Sequence, residues 1–276
     1  MTALSNRRVS WLAIGLGLIL VAITAALLYR GYSFYKLSLE ERVEHPDFRK
    51  LRPSGMVGNG YGWVAALLIV LNLSYLIRRR FGGVGSMRVW LDIHVFTGLL
   101  ATVLVSFHSA FQLRTPIATA STASLALVVF TGLIGRFLYA LTPTSGRERL
   151  RDALDAVERI APGARDALAD VIATIPGPVL PANASLARSL FAIPQWRRAS
   201  NQRRRAIRNL APSDRSARPV VKTLERAAAA EARASGTAAL LRSWRALHRL
   251  FALAMLAAVL LHGGVAWYYG YRWIFS

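Results

Sequence analysis

The sequence predicts an all-α membrane protein, a transmembrane bundle of five helices with a helical cytoplasmic insertion. The first reason is a set of five apolar runs, each close to the roughly 20 residues that a membrane-spanning helix needs. They cover residues 11–29, 61–77, 89–113, 121–141 and 250–269. The second reason is a one-sided distribution of arginine clusters along the chain. The third is a pair of histidines in each of the third and fifth runs.

The composition of the 276-residue chain excludes several classes of site. It has no cysteine, which excludes iron–sulfur clusters, covalently attached c-type haem, thiolate zinc sites and disulfides. Any metal held by this chain must therefore use histidine or oxygen ligands. The formal charge of +21 is explained by the positive-inside bias of membrane proteins. No nucleic-acid partner is expected, because no recognition fold accompanies the charge.

The arginine clusters predict the orientation of the spans. They lie before the first span, after the second and after the fourth, at residues 7–8, 78–80 and 147–151. With the N-terminus in the cytoplasm all three fall on one side, whereas residues 114–120 and the C-terminal tail fall outside with one arginine each. We therefore expect a multi-pass protein of the bacterial inner (cytoplasmic) membrane, with an external C-terminus. The loop at residues 30–60 is the exception, and its acidic residues partly balance its charge.

Two segments near the N-terminus resemble known motifs, a signal peptide and a phosphate-binding loop. Two arginines and an apolar stretch resemble a signal peptide, but this stretch of about nineteen residues is longer than the usual apolar region, so we expect a retained helix. The sequence GNGYGW at residues 58–63 is glycine-rich. It follows no strand and precedes a membrane helix, so a phosphate-binding loop is not expected there. His45 lies in the polar loop between these features and is expected to be an ordinary surface residue.

The chain divides into three predicted parts. Residues 1–141 hold the first four transmembrane helices, residues 142–241 form the insertion, and residues 242–276 hold the fifth helix and an external tail. The insertion is rich in alanine and arginine and is interrupted by eight prolines, which predicts several short amphipathic helices. Its run WRRASNQRRRAIR, residues 196–208, suits an acidic lipid or an acidic partner. A plain solvated face of a positive-inside loop is the alternative.

The four histidines within the spans carry the main functional prediction. His94 and His108 are fourteen positions apart, and so are His248 and His262. On a helix, fourteen residues end only about 40° short of four full turns and rise about 21 Å. Each helix therefore presents two imidazoles on nearly one face, one near each side of the membrane. Intramembrane histidines are costly and usually functional.

Topology pairs these histidines at two levels. The third and fifth spans run in the same direction, so His94 and His248 lie at the cytoplasmic side and His108 and His262 at the external side. Two facing imidazoles are what a six-coordinate haem iron requires. The sequence thus predicts metal ligands for two haem b groups.

Three glycines and one arginine are predicted to line the haem sites. Gly98 lies between the histidines of the third helix, and small side chains there make room for a macrocycle. Gly132 and Gly135 allow the fourth helix to approach a neighbour or a flat ligand closely, with plain helix packing as the alternative. Arg136, inside the fourth span, is a candidate partner for a haem propionate. Anchoring at the membrane interface is its alternative.

This arrangement, H-x13-H on two helices separated by one helix, resembles the cytochrome b of quinol-oxidising bc and b6f complexes. The similarity covers residues 88–267, interrupted by the insertion. It implies that His94 with His248 and His108 with His262 are the axial pairs of two stacked b haems. It also implies a quinone as a further ligand. The quinol-site motif of that family and the glycine pair of its first helix are absent here, which favours a cytochrome b-like di-haem subunit over a bc-type subunit.

The expected function is transmembrane electron transfer as a subunit of an oxidoreductase complex. Electrons would pass between a quinone pool or cytoplasmic donor and an external cytochrome c or iron–sulfur protein, and this chain by itself need not be an enzyme. A ferric-reductase-like membrane domain is an alternative, although no flavin or nicotinamide domain is present. A histidine-lined metal or proton transporter would need acidic residues beside the histidines, and only Asp92 is near. A structural anchor would leave the histidine spacing unexplained.

Overall fold

The structure is a computed structural model that describes residues 11–82, 84–141, 146–177, 180–181, 184–211 and 215–269. Within these residues the chain is built from α-helices, which confirms the predicted all-α class. In chain order they are α1 Trp11–Tyr35, α2 Leu39–Arg42, α3 Phe48–Leu51, α4 Met56–Asn72, α5 Ser74–Phe81, α6 Met87–His108, α7 Pro116–Leu141, α8 Gly146–Glu158, α9 Ala164–Thr174, α10 Leu186–Phe191, α11 Ile193–Leu210 and α12 Arg218–Tyr268.

Five helical stretches are long and apolar enough to cross a membrane, which confirms the predicted five spans. They are Trp11–Tyr35, Phe48–Phe81, Met87–His108, Pro116–Leu138 and Arg218–Tyr268. The second span begins earlier than predicted, because α3 covers residues 48–51 and α4 begins at Met56. The glycine-rich segment GNGYGW therefore lies in the first turns of α4.

The third span ends earlier than its apolar run suggests. Helix α6 stops at His108, and Ala110 and Phe111 have φ angles of 49° and 60°. The Phe111 N–H donates to the Ser106 carbonyl at 3.0 Å, which closes the end of the helix. Left-handed backbone is unfavourable for residues with a side chain, so other contacts must hold this turn.

The insertion contains the expected short helices, α8 to α11, and the helix that holds the fifth span begins well before the predicted span. Helix α12 runs without a break from Arg218 to Tyr268, so the predicted boundary at residues 241–242 falls inside one helix. Pro219 occupies its first turn, where a proline is tolerated. The residues after it are mostly alanine, leucine and arginine, which are strong helix formers, and nothing terminates the helix.

The chain forms two compact units. One comprises residues 1–132 and 250–276, and the other comprises residues 133–249. In the first unit a buried cluster joins α4, α6, α7 and α12; its members are Ala65, Ile69, Ala101, Leu104, Leu125 and Met255. In the second unit the main cluster joins α8, α9, α11 and α12. Beside it Arg203 is buried, pairs with Glu231, and donates to the Ile175 carbonyl at 2.7 Å.

Candidate cofactor site around His108 and His262

His108 and His262 lie together in the first unit, as the sequence analysis expected. His108 is the last residue of α6, and His262 lies near the end of α12. The centroids of their imidazole rings are 6.2 Å apart, and the ring planes are nearly perpendicular at 84°. Both side chains also line one cavity.

The separation of the two rings suits one metal atom between them. A histidine nitrogen binds a transition metal at roughly 2.0–2.1 Å, and the ring centre lies about 1 Å farther, so two axial imidazoles have centroids about 6 Å apart. The observed 6.2 Å matches this arrangement. The pair can therefore supply both axial ligands of a haem iron.

A backbone carbonyl fixes the orientation of the His108 ring. Its Nδ1 lies 2.9 Å from the carbonyl oxygen of Gly58. Because a carbonyl can only accept, Nδ1 carries the proton and Nε2 carries the free lone pair. A histidine that ligates a metal commonly donates its other N–H to a backbone carbonyl in this way.

Gly62 of α4 allows this contact, and Gly58 of the same helix lets α4 approach the backbone of Arg52. A Cβ atom at Gly62 would lie 2.8 Å from Nδ1 and 2.9 Å from Cε1 of His108, and one at Gly58 would overlap the Arg52 carbonyl. Sequence reasoning missed both residues, since GNGYGW was considered only as a phosphate-binding loop. The signal that could have found them is their spacing of four, which is typical of close helix approach in membranes.

A cavity of about 630 Å³ adjoins the two histidines. Its volume falls in the roughly 300–1,000 Å³ range of ligand and cofactor sites. The space exists because many side chains around it are small; examples are Gly62, Ala65, Ala66, Ala118, Gly263 and Ala266.

The charged residues of the cavity are all cationic. Arg42, Arg52 and Arg114 line it, and no aspartate or glutamate is among the described residues that do so. Arg52 lies over the ring of Phe48 with 5.8 Å to the centroid, and the Arg114 Nε donates to Gln112 at 2.8 Å. An apolar cavity with a cationic rim suits an apolar ligand that carries carboxylates.

Arg42 also holds the turn that follows His108. Its guanidinium donates to the carbonyls of Leu37, Tyr35 and Ala110 at 3.0, 2.7 and 2.9 Å. Burial lowers the pKa of Arg42 from its usual value, and the side chain is only 7% exposed. Since the Ala110 carbonyl belongs to the left-handed turn, this bond stabilises the strained end of α6.

The other two predicted ligands, His94 and His248, lie in different units. In the first unit, the ring of His94 lies 4.7 Å from that of Tyr75, tilted by 36°. In the second unit, the ring of His248 stacks on Trp244 at 5.3 Å and 21°. The pairing of His94 with His248 stays a prediction.

Two of the other predicted site residues, Gly98 and Gly135, have packing roles. A Cβ atom at Gly98 would lie 3.3 Å from Nδ2 of Asn72, and the Asn72 Oδ1 accepts from the Thr97 hydroxyl at 3.0 Å. A Cβ atom at Gly135 would overlap the Trp244 indole. Gly135 therefore makes room for the residue that stacks on His248.

Gly132 and Arg136 are half-buried on α7, and their role toward a haem stays a prediction. His45 accepts from the Asp47 N–H at 3.1 Å in the loop after α2, a local turn contact. Among the described residues, no three histidine, aspartate or glutamate side chains gather into a metal site.

Comparison with protein-family models, with curated proteins and with solved structures finds no match for this chain. What it binds must therefore be inferred from the residues of the site.

Proposed function

We propose that this chain is a membrane-embedded electron-transfer subunit that binds two b haems. The observation that carries the proposal is the His108–His262 pair, whose ring separation of 6.2 Å fits axial ligation beside a cavity of cofactor size. A bound haem b supplies an iron centre that accepts and releases one electron. The protein supplies the two imidazoles, their orientation and the surrounding charge.

At the outer level, His108 and His262 would be the axial ligands, with Gly58 orienting His108 through its carbonyl. Arg52 and Arg114 would neutralise the haem carboxylates, because charge-assisted bonds from arginine are the strongest available there. The apolar wall of the cavity excludes water from the macrocycle.

At the inner level, His94 and His248 would be the ligands. Helix α6 separates its two histidines by about 21 Å, from the rise per residue of an α-helix. Two ligand levels on one helix would carry electrons through most of a hydrocarbon core about 30 Å thick.

The positive-inside bias supports a place in the bacterial inner membrane with the N-terminus in the cytoplasm. Electrons would then pass between a quinone pool or cytoplasmic donor and an external cytochrome c or iron–sulfur protein. Among the described residues that line the cavity there is no aspartate or glutamate, which supports electron transfer over a metal or proton transporter.

A reduced-minus-oxidised spectrum of the purified full-length chain, with a pyridine haemochrome count, tests the proposal. We expect two b haems per chain. His108→Ala and His262→Ala should each lose one haem, the double variant should lose no more than that one, and His45→Ala should keep both. Absence of b-type bands from the unaltered protein would refute the proposal.

A further inference from the structure

Helix α11 carries the densest positive charge of the second unit. It has six arginines and no acidic residue. The part of α12 in the same unit, residues 218–249, has seven basic and two acidic residues in a longer stretch. Helix α8 has three arginines and four acidic residues, so its charge is balanced.

The arginines of α11 divide by face. On the inward face Arg203 pairs with Glu231, and nearby Trp196 and Ile207 pack into the unit. On the outward face Arg197, Arg198 and Arg205 are exposed and make no ion pair with any described residue. These three arginines are therefore available to an external anion.

An exposed aromatic side chain lies beside this face. Phe191, the last residue of α10, is 80% exposed. A solvated loop gains nothing from an exposed phenylalanine. Basic residues together with exposed aromatic side chains on an amphipathic helix are typical of binding at a membrane surface.

We propose that the α10–α11 face, defined by Phe191, Arg197, Arg198 and Arg205, docks on anionic phospholipid headgroups. The arginines bind the phosphates, and Phe191 enters the headgroup layer. Lipid is favoured over an acidic protein because the chain is already a membrane protein and because the exposed phenylalanine suits the interface. This surface does not depend on haem.

The absence of cysteine allows single-site labelling of the full-length chain in nanodiscs. A fluorophore on Gln202→Cys, at an exposed position of α11, reports on the face, and one on Asp152→Cys of α8 is the control. We expect a headgroup nitroxide to quench the Gln202 label in phosphatidylcholine bilayers containing phosphatidylglycerol, and much less in phosphatidylcholine alone. High salt should relieve the quenching, and the Asp152 label should not respond to lipid charge.

Matched charge removal decides between a specific face and net charge. The triple variant R197Q/R198Q/R205Q should bring the quenching down to the phosphatidylcholine level, since each arginine strengthens adsorption roughly fivefold. The triple variant R147Q/R149Q/R151Q, which removes the same charge from α8, should keep it. Equal loss in both variants, or equal quenching in both lipids, would overturn the proposal. If soluble polyglutamate changes the fluorescence of the Gln202 label and phosphatidylglycerol does not, the face binds an acidic protein instead.

Discussion

The histidines proposed for the outer and inner levels have different surroundings. His108 is oriented by the Gly58 carbonyl and has room because Gly62 lacks a side chain. His248 is flanked by a stacked tryptophan and His94 by a tilted tyrosine. An atom added beside His108 should therefore disturb the outer level, and loss of the aromatic ring beside His248 should disturb the inner level.

Adding one methyl group at Gly62 should disrupt the outer level. The new Cβ would lie 2.8 Å from the His108 Nδ1, so the imidazole must move from its bond to Gly58. We expect Gly62→Ala to lose most of the outer haem, measured as a fall from two haems toward one. Gly60→Ala is the matched control, because a Cβ there meets nothing within 4 Å. Equal haem contents in the two variants would contradict this account of His108.

Removing the Arg42 side chain should destabilise the turn that follows His108 and so weaken the outer level. Three carbonyls would lose their donor, at about 1–3 kcal/mol for a buried unsatisfied group. We expect Arg42→Ala to lower the thermal midpoint and weaken outer haem retention. Ala110→Gly should partly rescue it, because glycine adopts a φ of 49° without strain. No rescue would show that the turn is not what Arg42 stabilises.

Removing the Trp244 ring should affect only the inner level. Trp244→Ala takes away the face on which His248 stacks, and aromatic contacts of this kind contribute about 0.5–1.5 kcal/mol. We expect a shift in the low-spin electron paramagnetic resonance signal of one haem, with both haems still bound. Trp11→Ala, at a position 83% exposed on α1, serves as the control. A shift in the outer signal would break the contrast between the levels.

Acid should give the smallest effect, in the unit that holds His248. Glu158 accepts from the N–H groups of Gly163 and Arg165 at 2.8 and 3.1 Å, and these bonds lower its pKa. A lowered folded pKa means that the contact stabilises the turn above the unfolded pKa, about 4.3, and is lost as pH falls through the folded value. The protection of the Gly163 amide from hydrogen exchange should therefore fall in acid in the unaltered protein. In Glu158→Gln it should depend less on pH. Identical profiles would show that Glu158 does not hold this turn.

Much of the fold was predictable because the spans are encoded locally. Apolar runs of membrane length specify helices and their order without reference to distant residues. The ends of the helices were less predictable. Helix α6 stops at His108 because a turn held by Arg42, 68 residues away in the chain, replaces the last helical residues. Helix α12 extends back from the fifth span to Arg218 because nothing in its alanine-rich first half interrupts it.

The candidate site divides in the same way. Periodicity predicted the four histidines and their two levels, since positions fourteen apart share a helix face, and the structure brings His108 and His262 together. The spacing of Gly58 and Gly62 indicates close helix approach, but it does not identify His108 as the neighbour, because only packing brings the second span to His108. Packing likewise brings Arg52 to the cavity. Periodicity also could not show that Gly135 accommodates Trp244.

The sequence by itself determined the helical class, the five spans and the histidine spacing, because each depends on residues within a few turns of one another. Only the tertiary structure decided which atoms surround the histidines: the Gly58 carbonyl behind His108, the arginines of the cavity and the tryptophan on His248. Those contacts join segments far apart in the chain. Their geometry depends on how closely helices approach, which local patterns do not specify.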